Sequence, residues 1–389
     1  AYEETLDFLQ IIGTKDKVHF QKKLEVFYRD PIHGQVALSC PNLPAPLHLL
    51  VGALRLKNLA WSDKWALLKA GSSLLKLRWG TPPEFDQMSA AEWLLKLGQT
   101  KALRRAVWDP IIIATLNESP ERASAFLLGE VLRRGFLTTR KHSYLGFSAT
   151  GLSALYVEPS LKYLEQKGAK IETGAAVTGI QIANGRVQSL VLQNGEERAA
   201  GAYVLALSPQ GLARVLRNPP LSSDPFFERA ARIECAPIVS VNLWLDRSLN
   251  LEGTYVGLLD SPVQWIFDRR KMVGEGSDGR HPYALVTSAA HELSEKNNSQ
   301  IAEMAIDAVR NYFPEAKDAK VLHSSVVKEP HATFSAGPGF EKLRLPQKTP
   351  LENLFLAGDW TDTKLPATLE SAALSGRLAA EGVRDCFER

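Results

Sequence analysis

The sequence is poor in cysteine. Three occur in 389 residues, Cys40, Cys235 and Cys386, far apart and with no C-x-x-C pair. This excludes a secreted disulfide framework and a structural zinc site, and suits a reducing compartment. Long apolar runs are lacking too: none approaches the roughly 18 residues that a bilayer span needs. Charge of one sign is scarce. A net charge of +3 is too little for a general nucleic-acid binder, so no nucleic-acid partner is expected. No P-loop and no H-E-x-x-H is present, and the eight histidines are scattered, so no metal site is expected. Gly146-Phe147-Ser148-Ala149-Thr150-Gly151 has one residue too many for a nucleophile elbow. The catalytic residues stay unknown from motifs alone.

One motif is present in letters only. Gly274-Glu275-Gly276-Ser277-Asp278-Gly279 spells G-x-G-x-x-G. A dinucleotide fingerprint needs a preceding strand and a following helix whose N–H groups face pyrophosphate. Here two carboxylates would repel phosphate, and Pro282 and a strand pattern follow, so the segment reads as a surface loop.

What is there is ordinary globular material, 45% apolar and 23% charged, in a length that suits two or three domains. Residues 1–150 read mostly as helices joined by Pro-rich loops. Ser62 is the expected N-cap of one helix, Ser89 of another, and Ser119 of a third that Pro120 opens. Residues 169–207 switch to period two. Asn184-Gly185 and Asn194-Gly195 mark hairpin turns, which predicts a three-stranded meander feeding a buried strand at 202–207. Further strands are expected at 238–245, 263–267 and 283–287, then a helix at 300–312. Near the end, Asn353-Leu354-Phe355-Leu356-Ala357 is a buried strand, Gly358-Asp359 closes it, and a small-residue helix begins at Leu369.

That last unit has the pattern of a ligand corner. Gly358 permits close approach of a ligand to backbone, and Asp359 projects from a strand's carboxyl end, where open α/β sheets bind ligands. The helix start offers free N–H groups to an electron-rich edge. The pattern alone leaves a plain capping aspartate equally open.

Residues Leu354 to Thr361, with Leu365-Pro366-Ala367-Thr368-Leu369-Glu370-Ser371-Ala372 and Ser375-Gly376, resemble the C-terminal flavin motif of the amine oxidase and phytoene desaturase superfamily. More narrowly, Pro44-Ala45-Pro46-Leu47-His48-Leu49-Leu50, Leu116-Asn117 with Pro120, Gly151-Leu152-Ser153-Ala154-Leu155, Gln264-Trp265-Ile266-Phe267-Asp268 and Ala332-Thr333-Phe334 resemble the hydroxysqualene dehydroxylase branch, the squalene-associated FAD-dependent desaturases. The resemblance implies a mixed α/β, two-domain flavoprotein of the amine-oxidase, FAD/NAD(P)-binding type with discontinuous domains. Residues 151–218 and 345–389 would form the FAD domain, and 1–150 and 219–344 the substrate domain. It implies FAD as cofactor, held by Val177, Gly358, Asp359, Trp360, Pro366, Ala367, Thr368 and Leu369. It implies an isoprenoid hydrocarbon substrate: hydroxysqualene reduced to squalene on the route to hopanoids, or a carotenoid desaturated. Squalene-pathway enzymes would then be partners, and the location cytoplasmic, on the inner face of the cell membrane. A flavin-free, lipid-binding remnant is the rival outside enzymology. His48, Trp265, Phe267 and Phe334 are candidate pocket residues, although core packing explains the aromatics as well.

Two departures stand out. The family usually has Gly where this chain has Lys364, and often Gly at Ser371. The family also opens with a strand, a glycine turn and a helix that hold FAD pyrophosphate, and residues 1–60 contain no such unit, so the sequence reads as lacking that βαβ front end.

Residues 43–80 hold six cations, Arg55, Lys57, Lys64, Lys69, Lys76 and Arg78, against the carboxylate of Asp63, interleaved with Trp61, Trp65, Trp79 and many leucines. This suits either a core helix with a solvated basic face or an interfacial helix on anionic lipid.

Without the glycine turn, purified 1–389 is expected to bind FAD poorly. An absorbance spectrum checks this: little flavin absorption is expected, and a stoichiometrically yellow protein refutes it.

Overall fold

The computed structural model describes residues 1–217, 221–275 and 279–388. The chain is mixed α/β and folds as two compact units, each built from separate stretches of sequence: 15–155 with 235–337, and 2–14 with 156–234 and 338–389.

The first unit is organised on a seven-stranded sheet. Its spatial order is Val321–Phe334, Cys235–Leu245, His281–Thr287, Trp265–Asp268, Tyr255–Leu258, Glu25–Asp30, Gly34–Ser39. All neighbours are antiparallel except Tyr255–Leu258 beside Glu25–Asp30. Alternation along Cys235–Leu245 buries Val239, Val241, Leu243 and Leu245. They join one core with Ile301, Ala305, Ala308 and Val309 from the helix Asn298–Tyr312. The 3.6-residue stripe of that helix meets the period-two stripe of the strand. Asn297 and Gln300 close a reciprocal capping box at its start.

The first 150 residues are less helical than expected. Glu25–Asp30 and Gly34–Ser39 form a hairpin, and Val18–Phe20 pairs with Gly146–Ser148. These strands are short and half-polar, so their alternation spans too few residues to stand out. Val321–Phe334 also escaped the sequence pattern, because Pro330 interrupts it. Proline is tolerated there since this is an edge strand with a register shift between Glu329 and Thr333. The helix expected to start by Ser62 capping starts at Trp61, and the Asp63 carboxylate accepts from Ala60 N at 2.9 Å instead. The Ser119 cap is replaced by Ser124, whose Oγ accepts from Phe126 N at 3.2 Å at the head of Ala125–Leu132. The Ser89 cap is as expected, with Glu92 completing the box. The loop expected at 274–279 falls largely on 276–278, outside the described residues.

The second unit contains the three-stranded meander Val177–Ala183, Arg186–Leu192 and Glu197–Arg198. A two-stranded parallel sheet pairs Tyr203–Leu205 with Leu354–Leu356, and the long helix Leu369–Phe387 packs on it. Phe355, Ala357 and Ala379 form the contact. The helix Glu3–Ile11 belongs to this unit rather than with the rest of 1–150.

The first unit also buries a charge network. Arg105 lays both terminal nitrogens on Asp30, at 2.9 and 3.2 Å, and its Nε on Asp260 at 2.7 Å. Asp30, only 3% exposed, further accepts from Ile32 N, His33 N and Asn58 Nδ2. Burial by itself would raise this carboxyl. The Arg105 fork and the backbone donors outweigh it and hold the group well below the usual aspartate range. Arg105→Met would leave the acid buried without its cation, at a cost of about 3–5 kcal/mol. A depressed folded-state value also fixes the sign with pH. The stabilisation is complete above the ordinary aspartate value of about 4 and fades as pH falls below it. Urea titrations of wild type and Asp30→Asn at neutral and acid pH check this, with a flatter acid dependence expected for the variant.

Candidate functional site

The corner between Leu354–Leu356 and the helix Leu369–Phe387 lies wholly within the second unit. Gly358 follows the strand at φ +148°, a conformation suited to glycine, and a Cβ there would sit 2.6 Å from Trp360 Nε1. Its N–H donates to Ser375 Oγ at 2.8 Å. One residue on, the Asp359 carbonyl accepts from Ser371 Oγ at 2.7 Å. Ser371 and Ser375 are four apart, so they share a helix face and grip the peptides on either side of Gly358–Asp359. Both are fully buried.

Ser371 stands where the family often has Gly. The structure makes it a fastener: its Oγ also shares a hydrogen bond with Thr363 Oγ1 at 2.6 Å. Arg344 was missed altogether. It is 3% exposed, and its guanidinium donates to the carbonyls of Thr361 at 2.7 Å and Asp359 at 3.3 Å, and to Leu365 O. Its Nε meets Glu341 Oε1 at 2.7 Å. One buried cation thus shapes the whole 359–365 loop. No local pattern around Glu341-Lys342-Leu343-Arg344 announces that role.

Glu370 was also missed. Its carboxylate accepts from Glu4 N at 3.0 Å, Thr5 N at 2.9 Å and Thr5 Oγ1 at 2.9 Å, which puts a negative charge on the free amides of the helix Glu3–Ile11. Arg377, two turns further along, holds Glu4 through two bonds of 2.8 Å.

The predicted residues distribute as follows. Asp359 is held at the turn, and among the described residues no side chain donates to its carboxylate. Burial pushes that carboxyl up, against the pull of Arg344 and the Trp360 amide. Trp360 turns its indole into the core, where Nε1 donates to Leu207 O at 2.8 Å, so only its backbone belongs to the corner. Thr368 is the N-cap, accepting from Ser371 N at 3.2 Å and donating to Pro366 O at 3.2 Å. Ala367 is half-buried and the Leu369 side chain is exposed. Among the described residues the N–H groups of Leu369 and Glu370 have no acceptor. Val177 is in the meander, paired with Leu192, beside an open groove of about 460 Å³ lined by Gly174, Ala176, Leu192 and Asn194. Lys364 has φ +59°, which accounts for glycine being at home there. Its ammonium pairs with Asp362 at 2.9 Å and Glu341 at 3.2 Å.

The corner fits the ribityl and pyrimidine end of a flavin nucleotide. A half-buried carboxylate with no side-chain donor suits sugar-alcohol hydroxyls, and two unsatisfied amides at a helix start suit an electron-rich ring edge.

Of the pocket candidates, the structure brings two together. Trp265 and Phe267 share one face of the first unit's sheet with Tyr255, at ring distances of 5.9 and 6.1 Å, and Tyr28 lies 5.8 Å from Trp265. Gly257 sits among them because a Cβ there would come within 2.6 Å of the Tyr28 ring. Phe334 is elsewhere, buried on the edge strand opposite Cys235. His48 is 1% exposed, its Nε2 bonded to Ser143 Oγ at 3.0 Å, in the position of a structural tie. No group of three or more potential metal ligands is found among the described residues.

The profile of a family described as flavin containing amine oxidoreductase matches residues 10–384. The 15-cis-phytoene desaturase of Capsicum annuum is 25% identical over 402 residues, covering 100% of this chain and 68% of that protein. The 15-cis-phytoene desaturase of Synechococcus elongatus is 24% identical, covering 98% of this chain and 83% of its own length. The structure of cyclohexylamine oxidase from Brevibacterium oxydans superposes with a TM-score of 0.70 at 14% identity, covering 100% of this chain and 86% of that one, a likeness of fold.

Because burial raises the Asp359 carboxyl, its charged form costs stability until a donor arrives. Asp359→Asn is expected to weaken FAD binding by about tenfold or more, the loss of hydrogen bonds to a charged acceptor. The same variant should leave the thermal midpoint of the FAD-free protein unchanged or higher near neutral pH. Fluorescence titration with FAD and thermal unfolding check the two halves.

Proposed function

The chain belongs to the flavin-containing amine oxidoreductase family, and on that premise we propose that it is an FAD-dependent oxidoreductase of long isoprenoid hydrocarbons, with desaturation of a phytoene-type carotenoid as its reaction. The observation that carries this reading is the similarity to phytoene desaturases across nearly the whole chain. FAD, when bound, supplies two-electron hydride chemistry at its isoalloxazine ring.

The chain's own contributions follow from the corner and the sheet. Asp359 would accept hydrogen bonds from polyol hydroxyls of the cofactor. The amides of Leu369 and Glu370 would hold an electron-rich edge of its ring system, for which a helix start is electrostatically favourable. Ser371, Ser375 and Arg344 keep those groups in place. Trp265 and Phe267, half-buried and backed by the buried Tyr28 and Tyr255, give the first unit's sheet an aromatic face of the kind an apolar, extended substrate needs.

A second reading has its own support. The segments around His48, Asn117, Leu155, Trp265 and Phe334 resemble hydroxysqualene dehydroxylases, which deliver hydride to an allylic cation instead of removing it from a hydrocarbon. A full-length, flavin-loaded preparation assayed separately with phytoene and with hydroxysqualene separates the two. Dehydrogenated carotenoid with no squalene is the expected outcome. Squalene from hydroxysqualene with phytoene untouched would overturn it in favour of the second reading, and turnover of neither would overturn both.

A further inference from the structure

The helix Trp61–Lys76 has two apolar faces. One is ordinary: Leu67 and Ala70 are buried, and Leu77 continues the stripe into the next turn. The other points away from the protein. Trp61 is 76% exposed, Trp65 61%, Leu68 38%, Leu75 41%, and Trp79, at the end of the following turn, 91%. Positions 61, 65, 68, 72 and 75 fall within one narrow sector of a 3.6-residue helix, opposite the core stripe. Three tryptophans in water on one face need a reason, because large apolar groups gathered in a patch mark a surface that is covered in use.

The charges around the stripe say what covers it. Lys69 and Lys76 flank it on one side and Lys64 on the other, with Lys64 Nζ 5.2 Å from the Trp61 ring. Arg55, Lys57 and Arg78 are also exposed. The carboxylate of Asp63 is spent inside, bonded to Ala60 N at 2.9 Å and Thr100 Oγ1 at 2.7 Å, and the residue is 8% exposed. The outer face is therefore apolar at its centre and cationic at its margins.

We propose that this helix docks the protein on an anionic lipid bilayer, lying in the headgroup plane with Trp61, Trp65, Leu68, Leu75 and Trp79 inserted and the lysines and arginines on lipid phosphates. Tryptophan favours that boundary because its ring is apolar and its N–H polar, and basic residues at the margin gain from the negative surface potential. A nucleic acid would engage the cations but leave Leu68 and Leu75 in water. No helix among the described residues is long and apolar enough to cross a membrane, so the helix lies on the bilayer. This assignment stands independently of which hydrocarbon is the substrate.

Co-sedimentation of the full chain with phosphatidylcholine vesicles, with and without phosphatidylglycerol, tests it. The expected result is binding that requires phosphatidylglycerol, weakens with salt, and blue-shifts tryptophan fluorescence. Trp61→Ala/Trp65→Ala and Lys69→Glu/Lys76→Glu should each reduce binding about tenfold or more, while circular dichroism stays unchanged because all four side chains lie on the outer face. Absence of vesicle binding, or binding unaltered in both double variants, overturns the proposal. A concentration-dependent dimer abolished by the tryptophan pair, with vesicle binding intact, would assign the stripe to a second copy of the chain and overturn it equally.

Discussion

The second unit depends on one joint. Two serine hydroxyls, one helical turn apart, hold the peptides on either side of Gly358–Asp359 against the first turns of the last helix. Without that joint the strand end, the loop and the helix start would each be free to move. Hydrogen bonds to buried backbone groups contribute only about 1 kcal/mol each, but leaving such groups unpaired costs more. The joint is therefore better understood as a constraint on geometry than as a store of stability. It fixes the backbone from which Asp359 and the start of the last helix project.

Arg344 works on the same loop from the other side. Burial disfavours its charge and pulls its guanidinium below the usual arginine value, against Glu341, Asp362 and Asp359. The loop tolerates this because nearly every donor on the cation finds a carbonyl, a hydroxyl or a carboxylate. Asp359 has the complementary problem, a half-buried acid with only backbone donors from the protein. Here a cation pulled down and an acid pushed up by burial share one loop, and such perturbed groups cluster at functional sites.

Legibility in the sequence followed the range of the interactions. The meander, the strand at 354–356 and the last helix announced themselves because turn residues and periodicity are local. The Gly358-Asp359 turn and the cap at Thr368 were legible for the same reason. Glu370 and Arg344 were not, because their partners lie hundreds or tens of residues away, and nothing in the neighbouring letters distinguishes a captured carboxylate from a solvated one. The hairpin at 25–39 was lost for a different reason: six-residue strands with polar alternate positions carry too little pattern. Trp360 was legible as part of the motif, but its indole serves the core, a direction that only packing decides.

The bond from Glu4 N to Glu370 spans 366 residues. Closing so wide a loop is entropically slow, and here the closing carboxylate is made some 366 residues after the amides it caps. On the ribosome, the helix Glu3–Ile11 must wait for its capping acid while the residues between them are made, its amides unsatisfied and its apolar stripe exposed. Termination anywhere between the two would leave the helix in that waiting state, without the acid that caps it.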